Sequence, residues 1–407
     1  MSTGPASLRA VLRHPSFRTL WAAQFVSVFG DFLALFGVIS LITFRMRGTP
    51  ADVALATAAY LVPVTAAAPL AGVLVDRWPV KRVMIASDLL RACIAASLVV
   101  VRDVPQICLV MALLGLVSTF FGPAQAVALR TLVPKEDLLA ANAMLAQAFY
   151  IVRIAAPALA GPLVAWLTEK ACFWLDAGSF LFSAAMIGRL AIVRAVPAGE
   201  RPQRALFHEF VEGNRFIFTH RGLSFAFLAS AAAMFMLSSF SPLISVYVRD
   251  TLGAGTVLYG MISASVGVGL ILGTTVVHRA ARDRPMANVV LAGLLGLGAG
   301  AALLGAFRNT GTAALATLTI GAAIAVVIVP ANTLSQKETP PAMLGRVSST
   351  FMSLISLAQV LGLLLSGVLA THLGIRQLFL ACGATLAALA LAGWGWLRPR
   401  PQAEPAA

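Results

Sequence analysis

The chain has 407 residues, of which 59% are hydrophobic and only 11% charged, with a formal net charge of +14. A soluble globular chain carries about 25% charged residues, so this composition excludes an ordinary water-soluble domain and describes a protein that lives in lipid. The basic excess taken alone points to nucleic acid, a reading that fails once the cations are assigned to loops.

A membrane-crossing helix needs about 20 mostly apolar residues. Segments of that length recur twelve times, at about 19–44, 52–75, 83–101, 106–128, 141–167, 171–193, 223–248, 257–278, 286–306, 312–334, 347–370 and 376–397. The first exceeds the 7 to 15 residues of a signal-peptide core, so it is expected to stay in the mature chain. It holds Asp31 near its middle, in "QFVSVFGDFLALFGV". The loop after the second reads "GVLVDRWPVKRV" (72–83), the third segment carries Asp88 and Arg91, the fifth Arg153 and the sixth Asp176. Residues 194–222 form the longest polar break, with Pro197 and Pro202 early and then Leu206, Phe207, Phe210, Val211 and Phe218 toward one helical face. Such a basic amphipathic stretch is expected to lie on the membrane surface. Cys93, Cys108, Cys172 and Cys382 stand singly in apolar segments, so no disulfide framework or CxxC site is readable.

With the N-terminus taken as cytoplasmic, twenty Lys and Arg fall in loops on that side, seven on the other (Arg45, Arg47, Arg102, Lys170, Arg249, Arg308, Arg376) and three within segments. That asymmetry is the positive-inside pattern. It places both termini in the cytoplasm and leaves no role for nucleic acid.

The chain also repeats itself. "GPAQAVALRTLVPKEDLLAANAM" from Gly122 has a counterpart in "VPANTLSQKETPPAMLGRVSST" from Val329; Pro134 matches Pro340, Leu138 matches Leu344 and Gly161 matches Gly367 at an offset of 206, with one residue of slip at Pro123 and Pro330. The expected architecture is an all-α membrane protein of twelve transmembrane helices in two pseudo-symmetric six-helix bundles. Residues 1–193 form the first bundle, 194–222 the cytoplasmic linker, and 223–407 the second bundle with a short tail.

Parallel six-helix repeats joined by a cytoplasmic connector describe an arrangement in which the halves rock about a central site. The loop at 72–83 resembles the signature of the major facilitator superfamily, a glycine followed by an Asp-Arg pair and a basic cluster. Gly72, Asp76, Arg77, Lys81 and Arg82 match, while Pro79 stands where the family usually has glycine and Val80 where it often has a basic residue. "FRTLWAAQFVSVFGD", "SDLLRA", "FFGPA", "LVPKEDLLAANAM" and "FWLDAGSFLFSA" are similar to the drug and siderophore exporter branch, including macrolide-efflux and enterobactin-exporter-like proteins. The resemblance spans nearly the whole chain and implies export of a small amphipathic compound, a drug or a siderophore.

In the loop motif, Gly72 is expected to let helices two and eleven approach closely, and Asp76 to face the positive end of a neighbouring helix, holding the cytoplasmic side shut. Arg77, Lys81 and Arg82 are gate residues or simple positive-inside anchors. Asp88 and Arg91, three apart and so on one face, read as support for that gate. An acid at the depth of Asp31 costs about 2.5 to 3.5 kcal/mol on insertion scales. Because burial disfavours the ionised form of an acid, Asp31 is the candidate for proton coupling; the bland alternative is a structural acid beside Gly30. Arg153, at similar depth, is a candidate partner for Asp31, the alternatives being an anionic substrate group or backbone carbonyls, and Asp176 reads as a boundary or packing residue. The corresponding stretch of helix seven, "MFMLSSFSP", has no acid.

If the resemblance holds, helices one, four, seven and ten line the substrate cavity, with Trp21, Gln24, Phe25, Ser27, Phe120, Phe121, Gln125, Met234, Phe235, Ser238 and Asn332 as candidates. An apolar, aromatic pocket with a few amides suits an amphipathic molecule. Enzyme function fails on constellations: the histidines are scattered, and there is no HExxH or Walker A lysine. No cofactor, metal or ATP use is implied. The expected partners are a small-molecule substrate, protons and the lipid bilayer, and the chain is taken as a monomer. A lipid flippase or an importer on the same fold stands as the alternative.

Overall fold

The computed structural model describes residues 11–192, 217, 219–283, 285–340 and 343–397. Among them run twelve long helices. α1 spans Pro15–Ser40 and continues through a π-helical turn at Leu41–Arg45; α2 is Pro50–Arg77, α3 Val80–Ser97, α4 Val104–Leu132, α5 Leu138–Leu167 and α6 Glu169–Gly188. α7 is Arg221–Asp250, α8 Thr256–Asp283, α9 Met286–Ala306, α10 Thr310–Glu338, α11 Leu344–Leu373 and α12 Ile375–Leu397. The helices answer a solvent that offers the backbone no hydrogen bonds, so each segment satisfies its own. Side chains close the first turns of α2, α4 and α10. Thr49 and Asp52 form a reciprocal capping box on α2, and Asp103 and Asn309 cap α4 and α10 by accepting from the Gln106 and Thr312 amides at 2.8 Å each.

Eleven of the twelve are long and apolar enough to cross a membrane, where the sequence suggested twelve. The one set apart is α3, eighteen residues long with Lys81, Arg82, Asp88 and Arg91 along it. Its charges distinguish it, and they are where the chemistry proves to lie.

The repeat is stricter in three dimensions than in the sequence. Each helix of the second half starts 206 residues after its counterpart: Pro15 and Arg221, Pro50 and Thr256, Val80 and Met286, Val104 and Thr310, Leu138 and Leu344, Glu169 and Ile375. The one-residue slip read at Pro123 and Pro330 is therefore local to the two "PA" pairs and does not carry to the helix starts. Packing repeats too. A Cβ at Gly115 would collide with the Tyr60 carbonyl oxygen, and one at Gly321 with that of Val266, so α2 crosses α4 and α8 crosses α10 at equivalent glycines. Close approach at small residues is the usual way helices associate in lipid.

Two compact units divide the chain, one holding α1 to α6 with Ser241–Ala264 and Leu363–Thr371, the other the remainder of α7 to α12. In the first, α6 packs along α1 and α3, and α2 along α4. Here Gly161 meets Val257 and Gly260, and Gly367 meets Ala51 and Ala54, the same glycine contact made twice at the repeat offset. Also in this unit, Arg249 donates to the carbonyls of Thr43 and Gly48 at 2.6 and 2.8 Å, and Thr43 Oγ1 donates to Ser245 Oγ at 3.0 Å. In the second, α9 packs against α10 and α12. The expected amphipathic linker helix falls almost wholly outside the described residues, as does the C-terminal tail.

Candidate functional site

The site is assembled by α1, α3 and α6 of the first unit. Gly30 removes the side chain that would separate α1 from α6: a Cβ there would stand 2.7 Å from Asp176 Oδ1 and overlap Ser179 Oγ. Asp176 is thereby drawn beside the residue that follows Gly30, which is Asp31. It is 1% exposed, and its Oδ1 has no hydrogen-bond partner. On α3, Asp88 and Arg91 form an ion pair; both are buried, and Asp88 Oδ2 and Arg91 Nε are left without partners. The Arg91 guanidinium lies between two aromatic faces, 4.5 Å from the centroid of Phe121 on α4 and 4.3 Å from that of Phe180 on α6. Cation–π contact of this kind is strongest where water is excluded, and it holds the cation in place among apolar helices. Ser183, one turn beyond Ser179, stands near Asp88 without reaching hydrogen-bond geometry.

These residues act on one another electrostatically. Arg91 and Asp88 act on Asp31, and Asp31 and Arg91 act on Asp176. Three carboxyls thus share one guanidinium. Asp31 and Asp176 also line one cavity of about 240 Å³ inside the bundle, with Tyr60, Ser118, Phe32 and Phe149 around it. Phe32 and Phe149 meet edge to face at 5.5 Å. The Gly115 crossing brings Tyr60 here, with Ser118 beside its hydroxyl. The result is an apolar chamber with two acids and two hydroxyls on its wall.

The structure redistributes several roles read from the sequence. Arg91 acts electrostatically on Asp31, and Arg153 is half-buried on α5. Asp88 and Arg91, read from the sequence as support for the gate, also belong to the Asp31 environment, since α3 packs on α6. Asp176, taken as a boundary residue, is a central member. The signal available in the sequence was its company in "FWLDAGSFLFSA", a lone acid followed by small and hydroxyl residues within an apolar run. Tyr60 and Ser118 carried no such signal.

Among the cavity candidates, Trp21 stacks on Phe25 at 5.4 Å and donates to the Met144 carbonyl at 3.2 Å. Gln24 is half-buried with Oε1 unpartnered, while Ser27 and Phe121 are buried, Phe121 beneath Arg91. Phe120 stacks on Trp78 at 6.1 Å, and Gln125 is half-buried. In the second unit, Met234 accepts from Gln359 at 3.7 Å, the Phe235 backbone packs on Gly362, Ser238 is half-buried, and Asn332 donates to the Ile328 carbonyl at 3.1 Å. Of the loop motif, Lys81 Nζ donates to the Gly188 carbonyl at 2.7 Å, placing a cation on the negative end of α6. Arg77 and Arg82 are exposed, and the Asp76 side chain lies outside the described residues. A side chain at Gly72 would meet nothing within 4 Å, so the close approach expected there is not made among the described residues.

The repeat sharpens the meaning of the charged cluster. At the offset of 206, Asp31, Asp88, Arg91 and Asp176 correspond to Leu237, Leu294, Leu297 and Cys382. The same fold is built in the second half without one of these charges, so the fold does not require them.

Twelve long helices among the described residues, in two equivalent sets and eleven of them apolar enough to cross a membrane, are the architecture of a multi-pass membrane protein. The Major Facilitator Superfamily profile matches residues 20–362, and the chain belongs to that family. It is 29% identical over 383 residues to the uncharacterized MFS-type transporter YfiS of Bacillus subtilis, covering 92% of this chain and 91% of that one. It is 25% identical over 388 residues to macrolide efflux protein A of Streptococcus pyogenes (92% and 94% covered) and 27% identical over 354 residues to the multidrug efflux pump Tap of Mycolicibacterium fortuitum (82% and 84%). Among solved structures it resembles a bacterial homologue of the human lysosomal transporter Spinster, with a TM-score of 0.77 at 12% identity over 95% of this chain and 99% of that one. The nucleoside transporter NupG gives 0.75 at 13% identity, over 95% and 100%.

Proposed function

We propose that this transporter is a proton-coupled exporter of a small amphipathic compound, working as a monomer in a bacterial inner membrane with both termini cytoplasmic. The observation that carries the coupling is the set of three carboxyls around one guanidinium, with Asp88 and Asp176 buried and Asp31 half-buried on the cavity wall, present in one half only among the described residues. Full ionisation of Asp31, Asp88 and Asp176 leaves uncompensated negative charge among apolar helices, and proton uptake discharges it. Asp31, which lines the chamber, takes and releases the proton as the chamber's access to water changes; Asp176 is the second acid through which the charge is shared, and Arg91 holds both. Export rather than import is supported by the efflux proteins among the relatives. The substrate path follows the residues of α1, α4, α7 and α10 named above, and Asp76 with its basic neighbours closes the cytoplasmic side.

The test is transport in proteoliposomes with a pH-sensitive dye inside and a panel of macrolides and other amphipathic amines outside. Addition of a transported compound moves protons through the native protein. In Asp31→Asn, with unchanged insertion and monodispersity, that movement is lost. Undiminished gradient-driven transport by this variant removes Asp31 from the coupling role.

A further inference from the structure

We propose that the first bundle binds an anionic phospholipid by its headgroup phosphate, at the end of the bundle where α1 leads into α2. A cavity of about 480 Å³ opens there between the end of α1, the residues following α3 and the first turn of α6, and Arg45, Arg102 and Lys170 line it. Only seven Lys and Arg were assigned to this side of the chain, so three of the seven converge on one cavity. Two others are committed elsewhere: Arg249 to the carbonyls of Thr43 and Gly48, and Arg376 to those of Gly305 and Ala306. Cations are sparse on this side, and with Arg45 paired to Glu169 the remaining Arg102 and Lys170 in one cavity ask for an anion.

The acids nearby are already engaged. Glu169, which also lines the cavity, accepts from Ser40 Oγ at 3.4 Å and lies 3.6 Å from Arg45, while Asp103 beside Arg102 caps the Gln106 amide. Glu169 and Lys170 open α6, so the positive end of that helix adds to the field in the cavity. Arg with Lys is a natural phosphate pair, the guanidinium bidentate and the ammonium as a point charge. A lipid rather than a soluble anion is indicated by what surrounds the cations. Val99, Val100 and Phe173 complete the wall, and Trp166 and Trp174 at the same end are 85% and 59% exposed, as expected of rings at headgroup depth. The second half has Thr251, Arg308 and Arg376 at the equivalent positions, with Arg376 spent on carbonyls. This inference is independent of the transport reading.

The experiment is native mass spectrometry of the detergent-solubilised protein with equal amounts of dioleoyl phosphatidylglycerol and dioleoyl phosphatidylcholine. The native protein retains phosphatidylglycerol preferentially. Arg102→Gln combined with Lys170→Gln lowers that retention about tenfold, and Arg308→Gln, the counterpart of Arg102 in the second half, leaves it unchanged. Equal retention by the double variant, or an equal loss in Arg308→Gln, overturns the proposal. Complete displacement of the bound lipid by inorganic phosphate also overturns it, by making the site one for a soluble anion.

Discussion

Gly30 on α1 and Asp176 on α6 pack backbone against carboxyl, at a separation that leaves no room for a methyl group. Gly30→Ala is therefore expected to push α6 away and disturb Asp176 and Ser179 together. Overpacking of this kind costs about 1–3 kcal/mol. It should appear as a lowered thermal midpoint in detergent together with loss of transport. Gly178→Ala, where a Cβ would meet nothing within 4 Å, is the control expected to do neither. Equal behaviour of the two variants would dismiss the notch.

The ion pair of Asp88 and Arg91 sits where the second half has two leucines. Removing one partner of a buried pair leaves an uncompensated charge and costs about 3–5 kcal/mol, whereas replacing both by apolar residues is often close to neutral. Arg91→Leu alone should destabilise the protein strongly. Asp88→Leu with Arg91→Leu, which copies Leu294 and Leu297, should recover most of the stability while leaving proton-driven transport dead. Thermal unfolding and vesicle transport read the two effects separately, and a double variant that transports normally would show the pair to be dispensable.

Gly115 and Gly321 make the same crossing in the two halves, each against a carbonyl oxygen. Substitution by leucine at either position should spread its helix pair and lower stability by a similar amount, about 1–3 kcal/mol. At Gly115 alone it should also distort the chamber, because Tyr60 lies on its wall. Transport assays at matched stability would separate the two variants; equal residual activity would mean that Tyr60 has no positional role.

Much of the fold was legible in advance. Continuous apolar runs of spanning length announce helices whatever their neighbours, and the glycine and proline echoes at 206 residues announced the duplication. The local pair of Asp88 and Arg91 was also readable, since a spacing of three places both on one face. Its destination was not. α3 was expected to support the gate because it follows the loop motif, and its burial against α6 also brings the pair within reach of Asp31. Asp176 was set aside on its nearness to a helix end, yet the missing side chain at Gly30 makes room for it in the interior.

The amino-acid sequence by itself determined which segments are apolar enough to be membrane-crossing candidates, that they fall in two repeated sets, and which ionisable residues stand inside them. Hydrocarbon enforces these features segment by segment, since each backbone must satisfy itself and each buried charge is costly. Only the tertiary structure decided which of those charges meet. In helices apolar on nearly every side, periodicity does not say which face turns inward; that is settled by where glycines such as Gly30 and Gly115 let two backbones close together.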